Sequence, residues 1–210
     1  MGNIIEIRPI SGNEWLPDRC MSLQTLVDPK KSSRKAGCAS LTGYYTKDKR
    51  ERLERLYQTV LHNVGCCGFV AWDDGLVVGY NNFFPREVAQ TTGLYGWGNK
   101  HDLFQGSLVH HCISLINHPN YRRKGIGTNL IRHTLDWAKE NGWLRFEVHL
   151  VLPDTPLGYE QEQKSCAGFW HRFGFKITYT TPADPETKAL YGVAERYSMV
   201  LDIDEWQGFI

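Results

Sequence analysis

Residues 113–128, Ile-Ser-Leu-Ile-Asn-His-Pro-Asn-Tyr-Arg-Arg-Lys-Gly-Ile-Gly-Thr, set the strongest limit on how this chain can fold. An apolar run over residues 108–116 ends at His118-Pro119-Asn120, a turn signal. Arg122, Arg123 and Lys124 follow, then Gly125-Ile126-Gly127. Beyond them Leu130, Ile131, Leu135 and Ala138 share one face of a helix, and Asn141-Gly142 closes it with C-cap chemistry. The local order is strand, basic glycine loop, helix. The first N–H groups of a helix lack internal partners and carry partial positive charge. Glycine lets the backbone come close to a ligand. Such a loop makes a nest for phosphate oxygens, and the three cations add donors beside it. The pattern predicts a diphosphate site.

Two familiar phosphate loops do not fit. A P-loop needs Lys-Ser/Thr after its last glycine, and none follows Gly127. The dinucleotide pattern needs a third glycine at position 130, which is Leu130. The spacing present is Arg-x-x-Gly-x-Gly, at Arg122, Gly125 and Gly127. Downstream, with one strand pattern between, lies Cys166-Ala167-Gly168-Phe169-Trp170-His171-Arg172-Phe173-Gly174-Phe175. Together these segments resemble the pyrophosphate loop and the late helix of the GNAT superfamily of acyl-CoA N-acyltransferases. Residues 65–203 carry the resemblance. It implies an α/β fold of the α+β type: a mixed, mostly antiparallel sheet of about seven strands, with a splayed central pair and flanking helices. One domain over residues 1–210 is expected.

Composition narrows the function classes. Hydrophobic residues at 41% and aromatics at 12% suffice for a packed core. A net charge of +1 argues against a general nucleic-acid binder. No apolar run is long enough for a membrane span, and Met-Gly-Asn-Ile-Ile-Glu lacks the core of a signal peptide. The expectation is a cytoplasmic protein with reduced thiols. Cys66-Cys67 reads as buried strand cysteines rather than a redox pair. His110-His111-Cys112 does not read as a metal site, because neighbours on a strand point to opposite faces; no metal is expected.

Along the chain, residues 3–10 read as a strand, residues 13–26 as a short helix, and residues 28–46 as a loop with a basic cluster at Lys30, Lys31, Arg34 and Lys35. Residues 47–64 form the clearest helix, with Leu53, Leu56, Val60, Leu61 and Val64 on one face and Gly65 as cap. Residues 67–72 and 76–84 make a hairpin around Asp73-Asp74-Gly75, and Asn81 and Asn82 could face an open groove. Residues 86–106 read as a loop insertion bearing Tyr95, Trp97 and Phe104. Strands are expected over residues 143–152, 175–180 and 195–203, and an acidic loop over residues 153–163.

Acyl transfer to an amine needs a bound donor, a base for the ammonium and a donor to the developing oxyanion. By resemblance, backbone groups of Leu115, Ile116 and Asn117 hold the pantetheine arm of acetyl-CoA. Arg122, Arg123, Lys124, Gly125, Ile126, Gly127 and Thr128 hold its pyrophosphate. The resemblance places the base eleven residues before Arg122, at His111. Strand parity sets His111 with Ile113 and Leu115, and His110 on the other face. Glu147 and His149 on the following strand are the reserve candidates. Trp170 stands where many members carry a tyrosine that meets the departing thiolate, and Gln163 where an asparagine often contacts the cofactor. Tyr121, Tyr159, Cys166 or water would then protonate the thiolate. The implied activity is N-acetyl transfer from acetyl-CoA to a small-molecule or protein amine, by direct attack in a ternary complex. Glu160 and Glu162 with Asp154 favour a cationic small molecule. A non-catalytic acyl-CoA-binding or sensor domain is the rival, and a homodimer stays open.

Overall fold

The computed structural model describes residues 5–11, 47–88, 106–115, 121, 124–154 and 166–208. The expected 13–26 helix, the 28–46 loop and most of the 86–106 and 153–163 loops lie outside the described residues. The elements are β1 (Glu6–Pro9), α1 (Lys47–Val64), β2 (Gly68–Asp73), β3 (Leu76–Pro85), β4 (Ser107–Leu115) and α2 (Ile126–Glu140). They continue with β5 (Arg145–Val151), α3 (Ala167–His171), β6 (Lys176–Pro182), α4 (Pro185–Tyr191) and β7 (Glu195–Asp202). The strands form one seven-stranded sheet in the order β1-β2-β3-β4-β5-β7-β6. β4 and β5 run parallel, while β1–β2, β2–β3, β5–β7 and β6–β7 are antiparallel. This is the mixed, mostly antiparallel sheet with flanking helices that the resemblance implied. Among the described residues, no helix is long and apolar enough to cross a membrane.

The chain divides into two compact units. The first takes residues 1–84 and 111–136. Its hairpin turns at Asp74 (φ 46°) and Gly75 (φ 80°), the paired positive φ that a two-residue turn needs to match strand twist. On α1, Leu56, Tyr57 and Val60 are buried. On α2, Leu130, Ile131, Thr134 and Leu135 are fully buried, so the apolar stripe read from sequence is the face that packs. Thr134 makes that stripe polar at one point: Asn81 Nδ2 on β3 donates to Thr134 Oγ1 at 2.7 Å, and Thr134 donates on to the Leu130 carbonyl at 2.9 Å. Asn81 and Asn82 are both buried. Cys66 and Cys67 are buried and not disulfide-bonded; burial pushes the Cys66 thiol up to about 11, and its S–H donates to the Gly68 carbonyl at 3.3 Å.

The second unit takes residues 85–110 and 137–210. Its core is aromatic. The Trp170 ring lies 5.1 Å from those of His110 and Phe175 and 5.2 Å from Phe169, and Phe146 meets Phe175 edge-on at 6.0 Å. The late helix is short, Ala167–His171, and Asp154 supplies the cap it lacks locally: Gly168 N–H donates to Asp154 Oδ1 at 2.9 Å. An additional helix, α4, is closed at both ends. Asp184 accepts from Thr187 N–H at 2.7 Å, Pro185 opens the first turn, and Gly192 ends it at φ 65°.

Gly68 is the tightest point of the first unit. Its φ is +151°, and an added Cβ would sit 2.1 Å from the Asn81 carbonyl oxygen and 2.8 Å from Ile10 Cδ1. Gly68→Ala should therefore destabilise the fold by about 2–4 kcal/mol, above the usual overpacking cost because backbone must move. Urea denaturation measures this, and a loss under about 0.5 kcal/mol, ordinary for a surface substitution, would contradict the geometry.

Candidate active site

The glycine loop ends in the first unit where the sequence placed it. Gly125 has φ +76°, and nothing lies within 4 Å of a Cβ built on it. Its carbonyl accepts from Asn129 N–H at 2.9 Å, which starts α2. Lys124 and Gly125 are exposed, Ile126 and Gly127 are buried, and Thr128 is half-buried. The first-turn amides of a fifteen-residue helix thus begin at an exposed cation and an open glycine. α2 carries no acidic side chain in its first turn, so no carboxylate of its own competes for those amides. Tyr121 donates its hydroxyl to Asp73 Oδ2 at 2.6 Å, and Lys124 Nζ lies 5.8 Å over the Tyr121 ring. Ile116, Asn117, Arg122, Arg123 and Gln163 lie outside the described residues. β4 carries Leu115 at its end and His111 within it, and the side chains of both lie outside the described residues.

The second unit holds a buried charge network around β5. Glu147 is 1% exposed. Its Oε1 accepts from Arg86 Nη1 at 2.5 Å, and its Oε2 lies 3.2 Å from His149 Nε2. His149 Nδ1 is 3.0 Å from Ser198 Oγ on β7. Alternation puts Glu147 and His149 on one face of β5, and the pairing of Val148 with Met199 brings Ser198 beside them. If Glu147 accepts the Nε2 proton, neutral His149 presents Nδ1 as an acceptor to the serine hydroxyl. Burial alone would raise the Glu147 carboxyl. The His149 hydrogen bond and the Arg86 charge outweigh it and hold Glu147 below the ordinary glutamate value. Ser107 Oγ also favours the carboxylate, but it is buried outside hydrogen-bonding geometry.

The sequence pointed to Glu147 and His149, and the structure brings them together. It gave no sign of Arg86, which is 61 residues from Glu147. The only available signal was a charged residue directly after a strand-ending proline. Trp170 is 1% exposed and packed among rings. Of the side chains weighed as thiolate acids, Tyr121 is bonded to Asp73 and Cys166 is 4% exposed. Among the described residues, no group of three His, Cys, Asp or Glu side chains could hold a metal ion.

Two measurements follow from the network. Arg86→Met leaves a buried carboxylate short of its cation and should cost about 3–5 kcal/mol, with Arg86→Met/Glu147→Gln recovering part of it. Because the folded-state pKa of Glu147 is lowered, its stabilisation is complete above the ordinary value of 4.5 and is lost as pH falls from there through the folded value. Chemical denaturation across that range should show a slope that Glu147→Gln flattens; an unchanged slope would place the acid-sensitive charge elsewhere.

No curated protein matches the sequence. Among solved structures, yncA of Salmonella typhimurium, determined with its cofactor acetyl-CoA, is 17% identical with a TM-score of 0.57, over 98% of this chain and 98% of that one. A GNAT-family protein of Desulfovibrio desulfuricans is 13% identical with a TM-score of 0.54, over 95% and 99%. An aminoglycoside 6'-N-acetyltransferase complexed with coenzyme A is 16% identical with a TM-score of 0.52, over 94% and 97%. At these identities the likeness is one of fold. The model of the acetyltransferase (GNAT) family matches residues 35–175, more than half of the 210 residues, and the loop, α2, β5 and the late helix all fall inside it. The chain belongs to the acetyltransferase (GNAT) family.

Proposed function

We propose that this protein is an acetyl-CoA-dependent N-acetyltransferase that moves the acetyl group to a primary amine by direct attack in a ternary complex. The carrying observation is the loop at the start of α2: an exposed Lys124, a left-handed Gly125 with open space around it, and a first helical turn that carries no acidic side chain. Those features fit a diphosphate. Two fold neighbours were solved with acetyl-CoA or coenzyme A, which supports the same donor. The loop, with Arg122 and Arg123, would take the pyrophosphate; the backbone of Leu115, Ile116 and Asn117 would take the pantetheine arm. Gln163 is the further contact. The acetyl thioester supplies the electrophile, and this chain supplies orientation and a proton acceptor.

His111 is the first choice for that acceptor. On β4 it has the parity of Val109, which pairs with Glu147. Glu147 itself suits the role poorly, because both oxygens are engaged and the carboxyl is held ionised and weakly basic. His149, with Nδ1 on Ser198, is the better reserve. The acceptor is a small-molecule or protein amine. The exposed Asp154 favours a cationic small molecule only modestly, because it also caps α3. One domain over residues 1–210 and a cytoplasmic location accord with this reading. The rival, a non-catalytic acyl-CoA-binding or sensor domain, draws on Trp170, a buried ring where many members have a phenol.

Coenzyme A should raise Tm by binding only the native state. Gly125→Val should abolish that rise, with about 1–3 kcal/mol lost from the apo fold for a β-branched residue at positive φ. His111→Ala should lower amine-dependent CoA release about 10²–10⁴-fold at neutral pH, and less as pH rises and free amine accumulates. CoA binding without release across a panel of amines would favour the sensor. Wild-type release by His111→Ala beside loss in His149→Ala would move the base to β5.

A further inference from the structure

We propose that Asp73 and Tyr121 form a strut that positions the glycine loop and sets its affinity for the diphosphate-bearing acyl donor. The inference rests on the donor-site reading above. Tyr121 stands directly before Arg122, at the entry to the loop. Its hydroxyl donates to Asp73 Oδ2 at 2.6 Å, a short charge-assisted bond. Lys124 lies over the same ring at 5.8 Å. One tyrosine therefore touches a carboxylate on the β2–β3 hairpin and a cation on the loop.

The hairpin end is well placed to act as an anchor. Asp73 closes β2 and pairs with Leu76. The turn between them is fixed by the positive φ of Asp74 and Gly75. The loop end is the opposite case. Gly125 adds backbone freedom, and an anion site needs its N–H groups convergent before the ligand arrives. Ordering them on binding lowers affinity; a bond that orders them beforehand raises it. Asp73 Oδ1 is buried without a hydrogen bond, and among the described residues the Tyr121 hydroxyl is the donor to Oδ2. A residue serving only the hairpin would be expected to bond within it. Asp73 also raises the Tyr121 phenol above its ordinary value through that bond, which leaves Tyr121 holding the loop rather than giving up its proton.

The test uses the full chain, titrated with coenzyme A and assayed with acetyl-CoA. Tyr121→Phe keeps the ring under Lys124 and removes only the hydroxyl. Asp73→Asn keeps an acceptor for it, and Asp73→Ala removes it. Tyr121→Phe and Asp73→Ala should each weaken coenzyme A binding by roughly ten- to 150-fold, the range of a hydrogen bond to a charged group. The double variant should be no more than about twofold worse than either single one, as for two halves of one interaction. Asp73→Asn should retain most of the affinity. The loss should fall on KM for acetyl-CoA rather than on kcat. Should Asp73→Ala lose the hairpin, Tyr121→Phe and Asp73→Asn decide. Wild-type affinity in Tyr121→Phe, multiplying losses in the double variant, or a loss confined to kcat would overturn the strut alone. No coenzyme A binding by the wild-type chain would overturn the donor-site reading, and the strut's role with it.

Discussion

A carboxylate at 1% exposure in the middle of a strand is the constraint around which the second unit is arranged. Left alone, Glu147 would be protonated or would oppose folding. Arg86 and His149 answer it from different parts of the chain, one after β3 and the other two residues along β5. Strand alternation then divides the work. Phe146 and Val148 face the aromatic core built by Trp170 and Phe175, while Glu147 and His149 carry the polar network on the reverse side. A slip of one residue in β5 would bury the aromatic face in charge and expose the network, so the ion pair also fixes register.

The first unit solves a different problem. α2 packs an apolar stripe and still begins at an exposed Lys124 and Gly125. The stripe is nearly dry, with Leu130, Ile131 and Leu135 at 0% exposure, and Thr134 is tied to Asn81 and to its own helix. That bond fixes which turn of α2 lies on β3. The position of the helix start follows from it, because Ile126 and Thr134 lie on one continuous helix of fixed rise per residue.

Local signals were legible wherever the responsible residues are neighbours in sequence. The Asp74-Gly75 turn, the Gly65 cap, the α2 stripe and the basic glycine loop each arise from a few consecutive residues. Helix α4 belongs to the same class: Asp184, Pro185 and Gly192 spell its start and stop. Its seven residues are too short for a convincing apolar period. The Arg86–Glu147 pair, the Asp154 cap and the Asp73–Tyr121 bond were invisible for another reason. Their partners lie 61, 14 and 48 residues apart, and no spacing rule links them before the strands are aligned.

These two arrangements bear differently on chemistry. The network of Glu147 is internally satisfied: cation, carboxylate, imidazole and hydroxyl answer one another. A group so stabilised gains little by taking a proton from substrate, since protonating it would break bonds already made. The loop at Gly125 is the reverse. Its exposed cation and first-turn amides find no acid within the first turn of α2, and the space where a Cβ would stand is open. An exposed cation beside a helix start is where an anion gains most. A satisfied carboxylate marks where the protein has spent its polar groups on holding itself together. On that distinction the loop is the place we propose for the acyl donor, and the proposed proton acceptor is better sought in a histidine than in Glu147.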